Sequence, residues 1–221
     1  MADDVIERTI AVAAHGRYLV AAPATTEPAP VLIGFHGYAE AAEAQLARLR
    51  AIPGAERWLV VSVQALNRFY ERRAREVVAS WMTRQNRELA IADNLSYVGG
   101  VIDQVTHDWP TAPPLVFVGF SQGAAMAFRA AVATERPVAG VIAVGGDVPP
   151  EIDPAALARV RTALICRGAS DPLYAAEVFV NDVRRLREAR IDVRPLEFPG
   201  GHEWSDEVLG AAALLLRERQ S

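Results

Sequence analysis

Short apolar runs punctuate the chain at residues 31–35, 58–63, 115–120, 138–144, 162–167 and 191–198, each ending near Gly, Pro, Asn or Asp. Runs of this length that are apolar throughout, rather than alternating, predict strands covered on both faces. Between them lie stretches with apolar positions at helical spacing: residues 39–52, stopped by Pro53-Gly54; 87–109, weakened in the middle by Gly99-Gly100; the small-residue stretch after Gly123; 175–190; and 204–219. Residues 8–14 and 17–21 alternate loosely around His15-Gly16 and predict a leading β-hairpin. Residues 22–30 read as a loop. Residues 64–83 lack clean periodicity and are expected to form a long loop or a broken helix.

Strands alternating with helices predict an α/β fold with a mostly parallel central sheet and helices on both faces. In such folds, sites collect at the carboxyl ends of the strands. A chain of 221 residues, 51% of them hydrophobic, supports one substantial core, so residues 1–221 are expected to form a single domain. No insertion within residues 138–167 is large enough for a cap domain, and the site is expected to be open to solvent.

The central motif lies in residues 115–127, where the apolar run 115–118 leads into Gly119-Phe120-Ser121-Gln122-Gly123 and then a helix. Glycines on both sides allow the tight strand-to-helix turn that lifts a serine hydroxyl out of the fold, a nucleophile elbow. A serine hydroxyl needs a base within hydrogen-bond reach and a carboxylate that orients the base. His202, in the Gly-rich turn after 191–198, fits the base, and Asp171, in Ser-Asp-Pro after 162–167, fits the acid. Asp147, which also follows a strand, is the second candidate acid and is otherwise expected to line the substrate pocket. Donors for a developing oxyanion are expected from the backbone N–H of Gln122 and from that of Tyr38, in the loop after 31–35.

The charge and composition narrow the chemistry. All 23 basic residues are arginine, which removes Schiff-base, Ser-Lys and Walker-A chemistry. A net charge of -4 argues against nucleic acid as partner. The acidic start and the absence of a run of about 20 apolar residues argue against stable membrane insertion and predict a cytoplasmic protein. The single cysteine, Cys166, lies in an apolar run and reads as a buried structural thiol. No metal-ligand spacing is present and no cofactor is expected. Phe69, Tyr70, Trp81 and Met82 are candidates for an apolar substrate groove, while Arg72, Arg73 and Arg75 read as a solvated face.

The His36-Gly37-Tyr38 loop, the Gly-Phe-Ser-Gln-Gly elbow, Ser170-Asp171-Pro172 and Gly200-Gly201-His202 together resemble the phospholipase/carboxylesterase family of α/β-hydrolases, with its small acyl-protein thioesterases and lysophospholipase-type carboxylesterases. The resemblance implies an α/β-hydrolase fold and a serine carboxylesterase acting on a small ester, thioester or lysophospholipid. It assigns Ser121, Asp171 and His202 as triad, and Tyr38 and Gln122 as oxyanion hole. Two departures, Met82-Thr83-Arg84 after Trp81 and Ala39-Glu40 after Tyr38, fall near the expected groove and bear on the substrate. Dienelactone-hydrolase-like or acyltransferase chemistry, and non-catalytic ligand binding on this scaffold, are the alternatives; homo-oligomerisation is left open.

Overall fold

The computed structural model describes residues 5–71 and 75–220. Nine strands are formed among these: β1 (Arg17–Ala21), β2 (Ala29–Phe35), β3 (Leu59–Gln64), β4 (Asn67–Tyr70), β5 (Val77–Ser80), β6 (Thr111–Phe120), β7 (Val138–Val144), β8 (Thr162–Gly168) and β9 (Asp192–Phe198). The helices are α1 (Ala42–Ala51), α2 (Arg87–Asp108), α3 (Gln122–Ala133), α4 (Pro154–Leu157), α5 (Ala176–Glu188) and α6 (Asp206–Gln220). The main sheet has the order β1-β3-β2-β6-β7-β8-β9, parallel except for β1. β3, β2, β6, β7 and β8 sit inside it, which is why their sequences are largely apolar without alternation.

Side chains of alternate strand positions feed two cores. Ile33, Phe35 and Phe117 pack with Val98, Val105, Met126, Phe128 and Leu186 on the face covered by α2, α3 and α5. Leu32, Val116 and Val118 pack with Leu49, Trp58, Val208 and Leu215 on the face covered by α1 and α6. Each such fully buried aliphatic or aromatic side chain contributes about 1.5–3 kcal/mol. The edge strand β9 is more exposed and holds Pro195, whose missing N–H is tolerated on an edge strand.

Four elements differ from the sequence expectation. Residues 8–14 form no hairpin with 17–21. β1 pairs instead with β3 in an antiparallel ladder, Arg17 opposite Gln64, while the Tyr97 ring packs against Gly16 and its hydroxyl donates to Arg17 O at 2.6 Å. Within residues 64–83 a two-stranded antiparallel sheet forms in place of the expected long loop or broken helix: β4 pairs with β5, with Phe69 opposite Val78 and Tyr70 opposite Val77, residue types that favour strands. α1 starts at Ala42 rather than 39, because Ala39 adopts φ 57° and the backbone of Ala39 and Glu40 bonds to Ala79 of β5 at 3.0 and 2.9 Å. The short α4 was not expected. Asp153 caps it by accepting from Ala156 N at 2.8 Å, and Pro154 starts it.

Candidate active site

Ser121 stands between β6 and α3 at φ 53° and ψ -122°, a backbone conformation that L-residues rarely adopt. Its environment enforces this. Ser121 N donates to Val144 O at 2.8 Å, and Ser121 O accepts from Ala124 N at 2.9 Å. The turn closes so tightly that a Cβ on Gly119 would lie 2.1 Å from Gly123 O, and one on Gly123 would lie 2.1 Å from Phe35 O. Only glycine fits at either position, which is the physical reason for the Gly-x-Ser-x-Gly spacing. Gln122 opens α3, so its N–H belongs to the first turn, where helical amides have no intrahelical acceptor and the dipole favours negative charge.

His202 lies in the turn after β9, and its Nδ1 is 2.9 Å from Oδ2 of Asp171. Asp171 is buried in the turn after β8, and its other oxygen accepts from Leu173 N at 2.8 Å and Tyr174 N at 3.0 Å. Burial raises the Asp171 pKa, but the bonds from His202, Leu173 and Tyr174 outweigh it and hold the carboxyl below its usual value. Gly145, at φ 63°, leaves room for this pair: a Cβ there would meet His202 Cε1 at 3.1 Å.

Ser121 and His202 face one cleft of about 710 Å³, lined also by Gly37, Tyr38, Arg48, Phe120, Leu173, Trp204 and Leu209. The Phe120 ring lies 5.0 Å from the His202 ring and 6.4 Å from that of Trp204. Tyr38 and Leu173 are 60% and 73% exposed and stand at the rim. Arg48 caps the Phe120 ring, with its guanidinium carbon 4.2 Å from the centroid. Arg48 also forms a two-pronged ion pair with Glu40 at 2.7 and 2.6 Å. Burial raises the Glu40 pKa, yet Arg48 and the Gly37 amide pull it below the usual range.

The expected groove residues fall elsewhere. Trp81 is fully buried: its Nε1–H donates to His36 O at 2.8 Å and its ring meets Phe35 edge-on, so it is a core residue and not a groove wall. Met82 is partly buried against the same core, its sulfur 3.6 Å from Arg129 Nη1. Phe69 lies one layer out, its ring 5.8 Å from that of Tyr38, while Tyr70 is exposed on the hairpin. Asp147 is exposed beyond Gly145-Gly146 and does not line the cleft at Ser121. Arg72 and Arg73 lie outside the described residues. The groove walls that sequence reading missed sit close to the motifs, Phe120 inside the elbow and Trp204 two residues past His202; Glu40 was marked only as a departure after Tyr38, and Arg48 left no mark in sequence.

The side chain of Gln122 has a structural task. Its Oε1 accepts from Trp81 N at 2.8 Å and Ser80 Oγ at 3.2 Å, and its Nε2 donates to Met82 O at 3.0 Å. Cys166 is buried and burial pushes its thiol pKa up. Among the described residues no group of three or more His, Cys, Asp or Glu is arranged to hold a metal ion, and no helix is long and apolar enough to cross a membrane.

Comparison with known proteins adds to this geometry. A family model described as Phospholipase/Carboxylesterase matches residues 17–217. No curated protein matches the chain significantly. Among solved structures, the esterase PE8 superimposes with a TM-score of 0.73 at 20% identity, covering 93% of this chain and all of that one. Acyl-protein thioesterase 2 of Zea mays gives 0.73 at 17%, with 94% and 100% covered, and the Bacillus cereus carboxylesterase 0.73 at 17%, with 92% and 95% covered. At these identities the likeness establishes the α/β-hydrolase fold.

Proposed function

The chain belongs to the phospholipase/carboxylesterase family of α/β-hydrolases, and from that premise we propose that it is a serine hydrolase that cleaves carboxylic esters or thioesters through an acyl-enzyme. The observation that carries this reading is the constellation at the cleft: Ser121 in a strained turn, facing the same space as His202, whose Nδ1 is engaged by buried Asp171. With Nδ1–H donated to Asp171, Nε2 is the basic nitrogen of the ring.

His202 Nε2 accepts the Ser121 proton as Oγ adds to the carbonyl carbon, and the N–H groups of Tyr38 and Gln122 receive the oxyanion. The intermediate collapses, the bond to the alkoxide or thiolate breaks, and His202 protonates the leaving group. Water then repeats the sequence on the acyl-enzyme, returning Ser121 and releasing the acid. The chemistry uses neither metal nor organic cofactor, and we read the protein as cytoplasmic.

The cleft walls favour an uncharged, apolar ester. Tyr38, Phe120, Leu173, Trp204 and Leu209 offer apolar surface, while Arg48 is neutralised by Glu40 and the remaining carboxylate, Glu203, disfavours an anion. The test is labelling by a fluorophosphonate probe followed by hydrolysis of p-nitrophenyl esters of increasing chain length. One adduct is expected, at Ser121, and S121A should reduce turnover by about 10⁴-fold or more with the fold intact. Retained turnover in S121A would remove the mechanism. Saturable ester binding without turnover or labelling would favour a ligand-binding role.

A further inference from the structure

The peptide joining Gly37 to Tyr38 is trans and planar, so its C=O and N–H point in opposite directions, and whatever holds one directs the other. The ring of His36 holds the C=O: Nδ1 lies 2.7 Å from Gly37 O. Its other nitrogen, Nε2, lies 3.0 Å from Ala65 N, a group that only donates. Nε2 is therefore the lone-pair nitrogen, Nδ1 carries the proton, and the imidazole donates to Gly37 O. Burial of His36 lowers its pKa against the pull of Gly37 O and Glu40, which preserves this neutral tautomer. The backbone of His36 is itself pinned by Trp81 Nε1 at 2.8 Å.

The preceding peptide is held as well. Gly37 N–H donates to Glu40 Oε2 at 2.7 Å, and both oxygens of Glu40 are fixed by Arg48, which rests on Phe120 beside Ser121. A Cβ on Gly37 would sit 3.0 Å from Glu40 Oε2, so the carboxylate packs directly against this backbone. Side chains thus grip both peptides flanking Gly37, and the next N–H is that of Tyr38 on the cleft.

We propose that His36 and Glu40 are positioning residues that aim the Tyr38 N–H at the substrate carbonyl oxygen. The inference rests on the serine hydrolase reading and adds two residues that touch no reacting atom. Loss of aim affects the transition state more than the bound ester, because the full negative charge on oxygen exists only there.

Two substitutions at His36 separate aim from anchorage. In H36N the amide nitrogen replaces Nδ1 and still donates to Gly37 O; in H36Q the carbonyl oxygen reaches the place of Nε2 and the Gly37 donor is lost. Hydrolysis of p-nitrophenyl butyrate, the phosphonylation rate with a fluorophosphonate and thermal unfolding are measured on the full chain. H36Q is expected to lose about tenfold or more in kcat with KM changed less than about twofold, and H36N to lose several-fold less. Phosphonylation rates should fall in the same order. Equal losses in the two variants, a loss confined to KM, or a kcat order that follows stability alone would overturn the proposal. E40A against E40Q gives the same contrast if the His36 variants do not fold: Gln keeps an acceptor for Gly37 N–H, and equal kcat values would again overturn it. A wild-type protein that neither turns over nor is labelled would remove the hydrolase reading itself, whereas an active, labelled wild type with an equally active H36Q would remove only the role of His36.

Discussion

The backbone at Ser121 stores conformational energy, and substituting it with glycine should release that energy. With φ 53° and ψ -122°, an L-residue there costs about 1–3 kcal/mol, a cost that persists because Val144 O, Ala124 N and the tight approach of Gly146 over-determine the turn. S121A retains the Cβ and the strain, so it is the proper reference for S121G; both lack the hydroxyl. Glycine removes the strain but gains about 0.4–1 kcal/mol of unfolded-chain entropy to lose on folding. The net expectation is that S121G is more stable than S121A by about 1 kcal/mol, or about 2–4 °C in Tm for a chain of this size. Urea denaturation of the two variants should show a higher midpoint for S121G with the same slope. An S121G variant no more stable than S121A would refute the argument that this turn is strained.

W81F removes the indole N–H that satisfies buried His36 O and shrinks a fully buried ring, so it should cost about 2–4 kcal/mol by urea denaturation; a loss below about 1 kcal/mol would show that His36 O finds another donor. Asp171 has a lowered folded pKa, so the stability it contributes is present above its unfolded value near 3.9 and lost as pH falls through the folded value. The stability gap between wild type and D171N should therefore shrink below about pH 4, and a gap that widens there would contradict the sign.

The strands of the parallel sheet and the location of the motifs were legible because parallel strands buried on two faces leave unbroken apolar runs, and because Gly119 and Gly123 have no substitute in so close a turn. The hairpin of β4 and β5 was hidden by its exposed positions: all four residues of β4 and Val77 of β5 are exposed, so no apolar period marks the strands. The β1 pairing was lost for another reason, since residues 8–14 carry strand-like alternation while the partner, β3, lies about forty residues on. Trp81 illustrates the limit for the site. A tryptophan near expected chemistry reads equally well as groove or core, and only the position of His36 O decides that its polar edge points inward. Glu40 and Arg48 are joined by the fold of α1 over the loop, which no local spacing encodes.

The three bonds made by the Gln122 side chain have a consequence for protein engineering. Position 122 is where one would first look to tune the residue beside the nucleophile, yet its amide also fastens Ser80, Trp81 and Met82. Libraries that randomise this position alone will mostly sample variants that have lost these bonds rather than altered selectivity. Joint randomisation of 80 and 122, the two positions joined through their side chains, is the design that lets selection find new pairings.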